Sequence, residues 1–253
     1  MTLTGGAVRA LLGKELLQLR RSRGALISST LLPLLMMLGV PLMQVAAFRS
    51  MTPEQLAAGA TANPANAALL ARFERPMDLF TGVLLPLFVA MTGVLVPAVA
   101  TAYAVVAERE RRSLDLLMAL PVSVADVLVA KVLSVFVMAV GVVAPLFAIQ
   151  SAVLLALGVT TLANVFWLLV VLAGAFCCSI GVTFVITIVA RDYRTANNLS
   201  GLQVGPVVIL APLCLLALRG WVGFALLALI FASIGLIALV IAWRWITFER
   251  YLA

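Results

Sequence analysis

Residues 79–107 read LFTGVLLPLFVAMTGVLVPAVATAYAVVA, and the next five, 108–112, read ERERR. The first run passes without one Asp, Glu, Lys or Arg, and then five charges arrive together. About 20 predominantly apolar helical residues cross a hydrocarbon layer roughly 30 Å thick, so this run spans a membrane with length to spare. The same pattern recurs on both sides of it. Apolar runs cover about 25–48, 124–157, 164–190, 199–218 and 221–246. The expected fold is all-α integral membrane, with six transmembrane helices forming a single transmembrane domain over 1–253.

Composition supports that reading. Hydrophobic residues make up 64% of the 253 and charged ones 11%, and the mean hydropathy is +1.21. A soluble domain is about half apolar and a quarter charged. The surplus apolar surface has to face lipid. Trp221, Trp243 and Trp245 sit at the ends of the last run, where an aromatic belt belongs.

The connections are short, with one exception. Before the first run, residues 5–23 read as an interfacial elbow helix, clearest from Val8 to Arg23. Val8, Leu11, Leu12, Leu16 and Leu19 fall near helical spacing, and Arg9, Lys14, Gln18 and Arg21 lie mostly on the other side. A simple basic flank that sets topology is compatible with the same residues. The exception is the polar loop of about 49–78. Thr52-Pro53-Glu54-Gln55 there looks like a helix start, and one short surface helix is expected. That loop reads as a connector more readily than as a cap for cargo or a partner.

Basic residues orient the spans. Arg9, Lys14, Arg20, Arg21, Arg23, Arg109, Arg111, Arg112, Lys131, Arg191, Arg194, Arg244 and Arg250 fall on one side, against Arg49, Arg72, Arg75 and Arg219 on the other. The richer side is cytoplasmic by the positive-inside rule, which puts both termini in the cytoplasm of a multi-pass inner (plasma) membrane protein. The net charge of +7 then reflects topology and anionic lipid, with no nucleic acid required.

Several function classes are disfavoured. No Asp, Glu, Lys or Arg falls in the middle of a span, whereas an ion-coupled carrier keeps such a group near the midplane. Gln150, Ser179, Thr183, Thr187 and Gln203 read as helix-packing groups. Cys177, Cys178 and Cys214 lie in apolar runs and read as small buried hydrophobes. There is no histidine, no catalytic constellation and no metal-ligand spacing, so no enzyme and no bound cofactor is expected. Leu199-Ser200-Gly201-Leu202-Gln203 mimics the signature loop of ABC ATPases, but it opens an apolar run and the chain has no phosphate loop.

The most informative connection is Glu108 to Lys131, ERERRSLDLLMALPVSVADVLVAK. Ser113 caps a helix of about 113–120, and Asp115 meets the positive end of its dipole. Leu114, Leu117 and Met118 line one face, and Pro121 ends it. Ser123 restarts the chain with Asp126 three residues on. Such a short helix, cytoplasmic and apolar on one side, suits a protein partner.

That stretch resembles the loop between the second and third helices of ABC-2 type transporter permeases. The family pattern falls on Glu108 to Arg112, Ser113, Leu114, Asp115, Leu116, Leu117, Pro121, Val122, Ser123, Asp126, Val127, Leu128 and Lys131. Arg112 and Ala130 stand where the pattern usually has glycine. Lys14-Glu15-Leu16 running into Leu31-Leu32-Pro33-Leu34 is similar to the family's elbow and first span. Arg191 to Asn198, with Pro206 and Pro212, is similar to its fourth-to-fifth connection.

The resemblance implies a bacterial exporter component that pairs with a second permease copy or a related permease, with accessory subunits allowed. It implies a separate ABC ATPase subunit that holds the ATP and docks on a coupling helix. The contact residues would be Arg111, Ser113, Leu114, Asp115, Leu117, Met118 and Pro121, with a second contact at Arg191, Asp192 and Arg194. A non-transport membrane scaffold would share the spans and charge bias but would need no docking helix. An intramembrane lipid-modifying enzyme fits poorly, for want of histidine and clustered carboxylates.

Overall fold

The computed structural model describes residues 30–52, 54–55, 73, 75–110, 124–189, 198–199, 201–218 and 220–245, with isolated positions at 9, 12–14, 17 and 195. Among these residues six helices form the framework. They are α1 (Thr30–Ser50), α2 (residues 76–110), α3 (Val124–Ala156), α4 (Leu162–Val189), α5 (Val204–Ala217) and α6 (Trp221–Trp245). Five of them contain a stretch long and apolar enough to cross a membrane, and α5 is the shorter one. Of the elbow expected at 5–23, only positions 9, 12–14 and 17 are described, each of them helical.

The observed ends refine the expected ones. α2 starts at Pro76 and runs on through Glu110, so the charged stretch does not end it where the apolar run stops. Charged residues are good helix formers once a helix leaves hydrocarbon. α3 and α4 turn over at Gly158, and α6 begins after Gly220. Both glycines have positive φ, +66° and +69°, a conformation other residues adopt at a cost. In the 49–78 loop, the Thr52 N–H donates to Gln55 Oε1 at 3.1 Å and the Gln55 N–H to Thr52 Oγ1 at 3.4 Å. This reciprocal pair is a capping box, so the expected helix start at Thr52 is present.

Prolines explain the two irregular turns. Leu35–Gly39 in α1 and Phe80–Leu84 in α2 are π turns, closed by Val40 N–H to Leu35 O and Leu85 N–H to Phe80 O. Each ends two residues before a proline, Pro41 or Pro86. A proline ring collides with the carbonyl four residues back and offers no N–H. Those carbonyls, at Met37 and Gly82, lie inside the π turns, and the widened turn moves them aside. Met37 and Phe80 are fully buried in one core cluster.

Helix directions follow from which residues meet. A Cβ on Gly174 would stand 2.7 Å from the Ala228 carbonyl oxygen, and one on Gly181 would collide with the Gly235 carbonyl. Gly174 to Gly181 and Ala228 to Gly235 are both seven-residue steps taken in the same order, so α4 and α6 run parallel. Close backbone contact through small residues is how helices associate without a hydrophobic drive between them. α2 runs parallel to both. Val83, Ala90 and Val94 share a cluster with Val171, Ala175 and Cys178, and Ala100 shares one with Ile180 and Phe184.

Contacts at one end complete the arrangement. Arg49 Nη2 donates to the Leu157 carbonyl at 2.6 Å, joining the ends of α1 and α3. Phe48 lies near Phe80 with ring centroids 6.1 Å apart. Trp167, early in α4, stacks on Trp221, the start of α6, at 5.8 Å. The starts of α2, α4 and α6 therefore share an end with the finishes of α1 and α3. Because α4 and α6 are parallel, the chain between them returns from one end to the other. It does so through helical positions 198, 199 and 201, a tight turn at Leu202–Gln203 and α5. Leu202 N–H donates to Asn198 O (3.2 Å) and Gly205 N–H to Leu202 O (3.1 Å). α5 alone is about 21 Å long, and the path from 198 to 217 about 30 Å.

Candidate functional site

The connection read as the docking element, 111–123, lies outside the described residues. So do Arg111, Ser113, Leu114, Asp115, Leu117, Met118 and Pro121, and likewise Arg191, Asp192 and Arg194. What the structure does fix is the mounting of both segments. α2 ends at Glu110 and α3 begins at Val124, so thirteen residues bridge two antiparallel neighbours at one end of the molecule. α4 ends at Val189 at the same end, and the helical positions from 198 start there. The two segments thus leave from one face.

Helix length sets that face apart. α2 has 35 residues and α3 has 33, each about 50 Å long. Hydrocarbon accounts for about 30 Å. At the opposite end both helices stop close to the boundary. Arg75 and Asp78 mark the start of α2, and α3 gives way at Leu157, where Arg49 is bonded. The excess of roughly 20 Å, less what tilt absorbs, falls at the end that carries Glu108, Arg109 and Glu110 on α2 and Asp126 and Lys131 on α3. The 111–123 segment is therefore carried on two long helical struts.

Polar groups inside the bundle brace α2 and the helices packed on it. Ser179 Oγ donates to the Val94 carbonyl at 2.5 Å, tying α4 to α2. Val94 is one residue from Gly93, whose carbonyl loses its helical donor to Pro97. Gln203 Nε2 donates to Thr183 Oγ1 at 2.7 Å, tying the start of α5 to the last third of α4. Ser179, Thr183 and Gln203 are thus packing groups, as their sequence setting suggests. Gln150 is different. It is 3% exposed, and neither its Oε1 nor its Nε2 has a partner. Gln44 Oε1 and Gln203 Oε1 are also buried without partners. Nothing in the sequence around Gln150 separates it from the paired groups, because pairing depends on which helix faces it. Among the described residues no three His, Cys, Asp or Glu side chains gather where they could hold a metal.

Long apolar helices in a bundle, short turns and sparse internal polar groups define a multi-pass α-helical membrane protein. Residues 9–227 match the family described as ABC-2 family transporter protein. The chain belongs to the ABC-2 transporter family, as the membrane permease component of an ABC transporter. No curated protein and no solved structure gives a significant match to it.

Proposed function

We propose that this chain is the permease of an ATP-driven exporter in the inner membrane, energised by a separate ATPase subunit that holds the ATP and docks on 111–123. The observation that carries the proposal is the pair of roughly 50 Å helices that mount this segment clear of the hydrocarbon. In this reading Ser113, Leu114, Asp115, Leu117, Met118 and Pro121, with Arg111, form a coupling helix of about 113–120. Arg191, Asp192 and Arg194 lie beside it as a second contact.

The face bearing both segments is cytoplasmic, because basic residues concentrate there. The chain crosses six times, with the path 198–217 as the fifth crossing, an elbow helix at 5–23 and both termini inside. Parallel α4 and α6 support that count, since the chain between them has to recross. A second permease copy completes a dimer, and alternating access develops at the interface between the two. A push on 111–123 reaches α2 directly, and α2 is packed against α4 and braced by the Ser179 bond. The push therefore moves α2, α4 and α6 as one body.

Co-purification tests this. Tagged permease extracted in mild detergent should bring down an ATPase that carries a phosphate loop. Leu117→Arg or Asp115→Arg should remove it while leaving the thermal unfolding of the permease unchanged. A permease that brings down no ATPase, or one indifferent to both substitutions, would be a scaffold. Topology is tested separately. Ala58→Cys should react with an impermeant thiol reagent in intact cells, and labelling only after lysis would invert the orientation.

A further inference from the structure

α3 and α4 stand apart along much of their length, and α6 leans on the inner part of the gap. The gap is a cavity of about 730 Å3. Phe147, Leu172 and Phe176 form its floor, each less than 10% exposed, while Phe136, Leu169 and Trp243 form its rim at 45%, 50% and 54% exposure. Among the described residues no charged side chain lines it, and an apolar cavity does not hold water. It lies at the depth of the spans, so its occupant is apolar.

The rim residues are exposed to the hydrocarbon, which supplies flexible acyl chains, and the end of the groove decides between occupants. The groove opens at Trp243, in the last turn of α6, where tryptophan marks the headgroup level. The next residue, Arg244, lies outside the groove's lining and is exposed at that same level, where lipid phosphates are the anions at hand.

We propose that this groove is a phospholipid site, with an acyl chain lying between α3 and α4 and the phosphate at Arg244. The inference rests on the placement of the helices in a membrane and is independent of ATPase docking. A lipid wedged there would fill the gap that side chains leave. It would also hold α3, one of the two struts, against α4.

Native mass spectrometry of the whole chain, after reconstitution with phosphatidylglycerol and phosphatidylethanolamine and return to mild detergent, reads the site directly. The expected result is one phospholipid retained per chain, reduced at least tenfold in Ala144→Phe/Ala173→Phe, which fills the groove. Arg244→Ala, which leaves the packing alone, should reduce it at least threefold. That variant keeps the test decisive if the filled variant fails to fold. No retained lipid, or retention unchanged in the folded variants, overturns the proposal. So does an efficient disulfide between two chains carrying Phe136→Cys and Leu169→Cys, because a second copy would then cover the groove.

Discussion

The even-numbered and odd-numbered helices are built to different standards. α2, α4 and α6 run parallel and pack tightly. Burial within them falls outward, from 67% for the apolar stretch of α2 to 56% for α4 and 33% for α6, and backbone meets backbone at Gly181 and Gly235. α1 and α3 run the other way and are 22% and 39% buried. α3 leaves a groove beside α4, and α5 is too short to span alone. Small residues let the even trio approach until van der Waals contact does the holding. α1 and α3 lean on the trio through side-chain contacts. The contrast separates a closely packed trio from helices attached to it through side chains.

The largest effect should come from breaking the trio. Gly181→Leu drives a side chain into the Gly235 backbone, and backbone cannot swing aside as a side chain can. Overpacking of this kind costs about 3 kcal/mol or more, so the variant should lose most of its monodisperse folded protein in detergent. Gly141→Leu makes the matching change in α3, where nothing lies within 4 Å of the added Cβ. It should unfold within a degree or two of the parent. Equal damage from both substitutions would erase the distinction between the two sets.

A smaller effect tests how α5 is fastened. Thr183→Val removes the acceptor of Gln203 and leaves that amide with two unpaired buried atoms, since its Oε1 already lacks a partner. Stranding a buried polar group costs about 1–3 kcal/mol. Gln203→Leu removes the same bond together with both stranded atoms, so it should cost less and could stabilise the chain. Thermal unfolding of the two variants checks the order. If Gln203→Leu proves the more damaging, the Oε1 has a partner in the assembled transporter.

Much of this was legible beforehand, because lipid imposes a crude and strong rule. Apolar runs marked α1 to α4 and α6 within a few residues at most described ends, and Thr52 with Gln55 announced its own cap. α5 was read as 199–218, yet the regular helix is Val204–Ala217, because a tight turn at Leu202–Gln203 interrupts the apolar run without a change in hydropathy. The trio was not read at all, although Gly174, Gly181 and Gly235 stand in plain sequence. A seven-residue step of small residues states that a helix has a close partner, not which helix it is. The proline-linked π turns were missed for a related reason. A proline signals a break in hydrogen bonding, and whether the helix kinks or widens depends on what packs around it. The residues proposed for docking at 111–123 were singled out by their pattern alone, and the structure contributes their mounting.

The smallest effect concerns a bond between two odd helices. Arg49 sits in the last turn of α1 and donates to the Leu157 carbonyl, just past α3. Two helix C-termini meet there, each with a partial negative charge that a cation offsets. The bond is exposed, so water replaces it readily, and Arg49→Ala should cost about 1 kcal/mol or less. Arg49→Lys keeps the cation and loses the planar fork, so it should fall between parent and alanine. Arg49→Glu places an anion against both C-termini and should be worse than alanine, with the difference shrinking as salt rises. If glutamate and alanine cost the same at every salt concentration, the side chain acts only as a hydrogen-bond donor. α1 and α3 would then be joined by that bond and the packing beneath it, with no electrostatic share.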